Sequence, residues 1–359
     1  MVRSPAARPA ALLLGARLLR APSLLLSASL LLGACSTPRP SDGPAPGPQG
    51  AAEVARRHGG ARAPAEPDAR ALGLSEVEPG VWVPEADAPH WGMGGRGLEA
   101  PPGAPSGQGL LLRSRHVQLE TDLPGHEALA LLRVAQGHVQ ACMARWGEAL
   151  DLRLPRAPLA VEVHARRAGL EAALAQRAAP AAAQAWYDRE RARVLLACEP
   201  APQGSLPVAA DLRHELVHAL LEQAAPDAPP WPALARGEWL WLWEGVALAA
   251  EDGIGAGEGP AWHLRRARLA ERLRRDGLLP LGTLCALPAA AWEGRHYDLC
   301  AAWLASLAQD PAWRAREAGL LRALLRGDLG AFDGGRAFGR TLAAEQARFT
   351  AWLAAEGVR

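Results

Sequence analysis

The sequence predicts an α+β domain: a small, mostly antiparallel sheet toward the N-terminal side, followed by a helical C-terminal subdomain. Three observations carry this. Residues 116–122 and 159–163 alternate apolar with polar side chains, the period of a half-buried strand. Gly125 to about Leu150 repeats Leu129, Leu132, Val139, Met143 and Trp146 at helical spacing. After Pro207 the apolar pattern is helical to the end, broken by Pro/Gly loops at 225–232, 252–260 and 326–336. Strands first and helices afterwards is the order of an α+β chain.

Taken in order, residues 1–35 read as an export signal. Arg3, Arg8, Arg17 and Arg20 precede an apolar stretch, Ala21 to Ala34, too short to span a bilayer as a helix. It ends in Leu32-Gly33-Ala34-Cys35, which resembles the lipobox of bacterial lipoproteins. That resemblance implies cleavage before Cys35, acylation of its thiol and a membrane anchor. With Ser36 rather than Asp next, it points to the outer membrane, facing the periplasm. Residues 36–110 are rich in Pro, Gly and Ala and read as a tether, with one short island, Val81-Trp82-Val83, as a segment for docking on the domain. The domain proper is expected over 111–359, with sheet and site helices in 111–251 and the helical subdomain in 252–359. Within it, the strand at 116–122, the long helix, the strand around Leu159–Val163 and a short helix near 167–178 precede a hairpin. That hairpin is formed by Trp186-Tyr187 and Val194–Cys198 about a charged turn.

Composition narrows the function. The chain has 359 residues, 49% hydrophobic and 21% charged, as a globular protein does. Its 39 basic and 38 acidic residues leave a net charge of +1, so no overall field favours nucleic acid. Every basic residue is Arg, and Lys and Asn are absent, which excludes N-glycosylation. Beyond Cys35, the cysteines Cys142, Cys198, Cys285 and Cys300 form no CxxC spacing; two disulfides and four buried thiols both remain open.

The chemistry-bearing segment is His214-Glu215-Leu216-Val217-His218, an HExxH. On a helix the two histidines lie one turn apart on one face, where their imidazoles can share a Zn²⁺. Glu215 can then reach water at the metal without ligating it. A catalytic zinc site needs a third protein ligand and an open fourth position. Residues 241–247, Trp-Leu-Trp-Glu-Gly-Val-Ala, resemble the WLxEGxA segment of the gluzincin metallopeptidases. The resemblance makes Glu244, 26 residues after His218, that third ligand.

Glu251 stands seven residues further on, where aminopeptidase-type gluzincins carry a Glu that supports the site. It reads either as a partner for the ring N–H of a ligand histidine or as a solvated helix Glu. More loosely, 111–359 resembles the peptidase-MA-like domain of bacterial envelope proteins. The likeness lies in the first strand and long helix, the hairpin Trp186-Tyr187-Asp188, and the segment from Phe338-Gly339-Arg340 to Trp352. A zincin-like fold and one Zn²⁺ per chain are what these resemblances imply.

They also imply an activity: hydrolysis of peptide bonds in peptide or protein substrates, with Glu215 activating a zinc-bound water. Gluzincins stabilise the oxyanion with a Tyr or His from the downstream helices. Of the two tyrosines in the chain, Tyr297 lies 53 residues past Glu244, with His296 as the alternative. The other class is a non-catalytic zinc-containing envelope lipoprotein that binds or scaffolds. The remaining histidines read as satisfied or exposed. Trp231, Trp239, Trp241 and Trp243 read as packing for the Glu244 helix, and the arginines at 265–268 and 272–275 as a solvated helix face.

Overall fold

The computed structural model describes residues 74–78, 81–84, 92–94, 97–99, 109–177, 183–199, 206–225, 238–254, 259–330 and 332–358. The expected export signal, Cys35 and Trp231 lie outside these residues. The chain runs β1 (Leu74–Glu78), β2 (Val81–Pro84), β3 (Gly92–Gly94), β4 (Gly97–Glu99), β5 (Leu110–Arg113), β6 (Val117–Thr121), α1 (Gly125–Leu150), β7 (Leu159–His164), α2 (Arg167–Ala175), β8 (Ala185–Asp188) and β9 (Arg193–Ala197). The helices α3 (Val208–Ala224), α4 (Leu240–Ala249), α5 (Pro260–Asp276), α6 (Leu281–Ala286), α7 (Gly294–Ala308), α8 (Pro311–Leu325), α9 (Gly334–Phe338) and α10 (Leu342–Ala355) follow.

Seven strands form one mixed sheet in the order β1-β2-β5-β6-β7-β9-β8, and β3 pairs with β4 apart from it. Most neighbours are antiparallel; β7 is parallel to both β6 and β9. The alternation decides which face is covered. Val117 and Leu119 of β6, Val161 and Val163 of β7, and Val194 and Leu196 of β9 all face the main core. Helices α1 and α3 pack together on that face, α1 presenting Leu129, Leu132, Val139 and Trp146. Leu195 points the other way, into a smaller cluster with Leu170 and Leu174 of α2.

One boundary differs from the sequence expectation. The segment read as tether contains β1 and β2, and β2 joins the main sheet through Trp82 opposite Arg113. The short island is therefore a strand of the sheet itself rather than a docked piece of tether, with Val83 completely buried. Strands of four or five residues give only two or three alternations, too few to stand out from Pro/Gly/Ala-rich surroundings. The sheet is correspondingly larger than the small one expected.

The helical half is organised around α4, in which every residue from Leu240 to Leu248 is buried. A helix apolar all round belongs inside a core. Trp239 and Trp241 pack with Trp303, Trp313, Phe332 and Phe338, the Trp241 and Trp303 rings 4.5 Å apart. Those tryptophans are core, as their sequence context suggested. Cys142, Cys198, Cys285 and Cys300 are all free thiols. Among the described residues no helix is long and apolar enough to cross a membrane.

Candidate metal centre

Two buried helices meet at the site. α3 opens after Pro207, and its apolar residues Leu212, Leu216, Val217 and Leu220 press it into the core. That seating leaves His214 and His218, one turn apart, on the side facing α4. From α4 comes Glu244, in the middle of the buried run.

The three side chains converge. Nε2 of His214 and Nε2 of His218 are 3.2 Å apart, and Oε2 of Glu244 lies 3.4 and 3.6 Å from them. Ligands at about 2.0–2.1 Å from a tetrahedral ion stand roughly 3.3–3.4 Å from each other. The observed separations bracket that value, so this donor set fits a zinc-sized cation. Among the described residues it is the one His/Cys/Asp/Glu group of this kind.

The histidines are oriented by different means. His214 turns Nδ1 to Oε1 of Glu251 at 3.2 Å; since the carboxylate only accepts, Nδ1 carries the hydrogen and Nε2 faces the cluster. Glu251 is buried at the turn after α4, so it is not a solvated helix residue. His218 lies against the indole of Trp243, centroids 4.9 Å apart and planes 21° apart. Its Nδ1 is buried with no hydrogen-bond partner among the described residues.

Electrostatics follow from burial and proximity. Burial pushes the Glu244 carboxyl up, but the imidazoles of His218 and His214 outweigh it and hold the group at about 2. Burial depresses His214, yet the Glu244 and Glu251 carboxylates raise it to about 10. The Glu215 carboxyl is raised, chiefly by burial and further by Glu244, against the two imidazoles. It accepts from the backbone N–H of Tyr187 on β8, the edge strand of the sheet.

Of the pair on α7, only Tyr297 lies near enough to this centre to feel its carboxylates. Burial raises its phenol, and the carboxylates of Glu244 and Glu215 add to the shift. His296 is corrected: it is spent on the start of its own helix. Its Nδ1 accepts from the Glu293 backbone N–H at 2.9 Å, within a capping box. Adjacent helical residues point about 100° apart, so the two could not serve the same place. His126 sits beside Glu127, His138 beside Cys142 and His164 beside Glu162, away from the cluster.

The arginine run is corrected at Arg265, Arg268 and Arg272, whereas Arg274 and Arg275 are exposed, as a solvated face requires. Arg265 is 7% exposed and donates to both oxygens of Glu251, from Nη2 at 2.5 Å and Nε at 2.7 Å. Its Nη1 donates to Asp298 at 3.0 Å, and Arg268 and Arg272 converge on the same carboxylate. The spacing 265, 268, 272 on one helix face was a readable signal, masked because Arg is the only basic residue type in the chain.

No protein-family model and no curated protein matches the chain.

Proposed function

We propose that the chain is a zinc-dependent hydrolase of peptide bonds, zincin-like in architecture and of the gluzincin type. One observation carries the reading. Two imidazole nitrogens and a carboxylate oxygen converge at 3.2–3.6 Å, with the carboxylate of Glu215, which holds no place among those three, beside them. His214, His218 and Glu244 would hold the ion. A zinc bound there supplies Lewis acidity, bringing water toward a pKa of about 7 and polarising a carbonyl.

The chain's own groups do the rest. Glu215, poised by burial to hold a proton more readily than a surface carboxylate, takes one from the attacking water and returns it to the departing amine. Tyr297 stays a neutral phenol and donates to the oxygen on which negative charge develops. Glu251 keeps the His214 imidazole in the tautomer that presents Nε2. The lipobox-like Leu32–Cys35 supports anchoring in a bacterial envelope, with peptides or proteins of that compartment as substrates.

The test is zinc stoichiometry combined with cleavage of a peptide library. Wild type and Glu215→Gln should each bind one zinc per chain, while the variant cleaves about 10²–10⁴-fold more slowly. His214→Ala should lose the metal. A wild type without stoichiometric zinc, or a Glu215→Gln that cleaves as wild type does, overturns the reading. A zinc protein that cleaves nothing would be the binding or scaffold lipoprotein instead.

A further inference from the structure

A buried ionic chain runs away from the metal cluster. The Nδ1 hydrogen of His214 goes to Glu251 Oε1 at 3.2 Å, and that same oxygen accepts from Nη2 of Arg265. The other Glu251 oxygen accepts from Nε of Arg265, which makes the pair bidentate. The remaining fork arm, Nη1, reaches Asp298, which is 1% exposed and directly follows Tyr297 in the chain. Glu251 is held from behind as well, its carbonyl accepting from Nη1 of Arg213 at 2.9 Å.

Buried ions cost several kcal/mol each to desolvate, and well-packed apolar residues of similar volume are often as stabilising or more so. Such a chain is therefore not explained by fold stability alone. What it does provide is direction. A guanidinium has a rigid planar fork that sets the plane of the carboxylate it grips. Here that carboxylate sets the ring of a metal ligand. The same fork fixes Glu251 relative to the helix that brings Tyr297.

We propose that Arg265 is a positioning residue of the metal centre: it aligns the Glu251 carboxylate on Nδ1 of His214 and ties it to Asp298, beside Tyr297. The inference rests on the reading of the cluster as a zinc site. Lysine cannot substitute, since an ammonium on a flexible stem grips neither carboxylate in a plane.

The experiment uses the full chain. Zinc dissociation constants are measured by competition with a chromophoric chelator, and absorption spectra are taken after cobalt substitution. The proteins are wild type, Arg265→Lys, Glu251→Gln and the double variant. Each single variant should weaken zinc binding about 10–100-fold and shift the cobalt bands. The double variant should bind zinc within about twofold of Glu251→Gln alone, because Arg265 acts through that carboxylate.

A merely structural tie between helices gives a different result. Arg265→Lys would then unfold earlier yet keep the wild-type zinc constant and cobalt spectrum, and that outcome overturns the proposal. Losses that simply multiply in the double variant also overturn it. Should Arg265→Lys fail to fold, Asp298→Asn loosens the far end of the fork while leaving Arg265 and Glu251 in place. It should weaken zinc several-fold, and an unchanged constant overturns the proposal. A wild type that binds no zinc brings down the site reading and this inference together. A zinc-binding wild type with an indifferent Arg265 brings down the inference alone.

Discussion

Gly245 follows Glu244 where α4 crosses α7, and adding one methyl there tests how tightly the two helices are seated. A Cβ built on Gly245 would meet Cδ2 of Leu304 at 2.6 Å, Cγ of Leu304 at 2.8 Å and Sγ of Cys300 at 3.4 Å. The closest of these is roughly 1 Å inside the 3.5–4.0 Å optimum for carbon pairs. Leu304 is buried and its Cγ is not a free end, so the methyl forces the helices apart or the side chain off its rotamer. Overpacking of this kind costs about 1–3 kcal/mol. Replacing a mid-helix glycine with alanine returns about 1 kcal/mol of helix propensity.

The two contributions separate in a double-mutant cycle. In the wild-type background, Gly245→Ala carries both. In a Leu304→Ala background the clash partner is gone, and the same substitution should stabilise by about 1 kcal/mol. Urea unfolding of chelator-treated protein reads the difference without metal linkage. Tyr297 lies on α7 two turns before Leu304, so the displaced helix should also cost peptide cleavage, about 10²-fold for a 1 Å misplacement. Gly245→Ala having the same effect in both backgrounds, within about 0.5 kcal/mol, would refute the close-approach reasoning.

Two further predictions concern the histidines. Trp243→Leu removes the ring stacked on His218 and should weaken zinc binding about 2–13-fold, the equivalent of 0.5–1.5 kcal/mol, whereas Trp243→Phe keeps most of it. Chelator competition measures both, and wild-type affinity for the leucine variant would discount the stacking. His138, held at about 4 by burial and then by the Arg213 charge, prefers to fold neutral. Protons therefore bind the unfolded chain more tightly. Stability is full above pH 6.5 and falls by about 3 kcal/mol as the pH drops to 4. His138→Gln should flatten that part of the urea-unfolding profile, and an unchanged slope would show that another group titrates there.

What the sequence disclosed depended on how much pattern each element offered. α1 has 26 residues of helical repeat, and the reading matched its ends. β6 and β7 alternate cleanly because one face of each meets the core. β5 is Leu-Leu-Leu-Arg, which shows no alternation; β1 is too short to be heard above its surroundings, and β2 stood out only as a three-residue island. At the site, His214 and His218 were legible because both belong to one helix, where spacing of four has a single meaning. Glu244 needed a resemblance. The contacts of Glu251 with His214, 37 residues away, and of Arg265 with Asp298, 33 residues away, exist only once the helices have packed. His296 left one readable trace, Glu293 three positions before it, the spacing of a capping box with histidine in the place of the usual Glu or Gln.

The proposed centre draws its parts from different bodies of the fold. α3, seated against the sheet, brings two imidazoles and the base; α4 brings the carboxylate and α7 the phenol. A metal site tolerates errors of only about 0.5 Å in its supports. No covalent link holds α3, α4 and α7 in register, so packing and buried charge must do it. Gly245 sets how closely α4 and α7 approach, and the Arg265 fork sets how both relate to His214. The two ties should fail differently. Crowding at 245 moves the phenol against the ligands and is felt in cleavage. Loosening at 265 frees the ligand ring itself and is felt first in the metal.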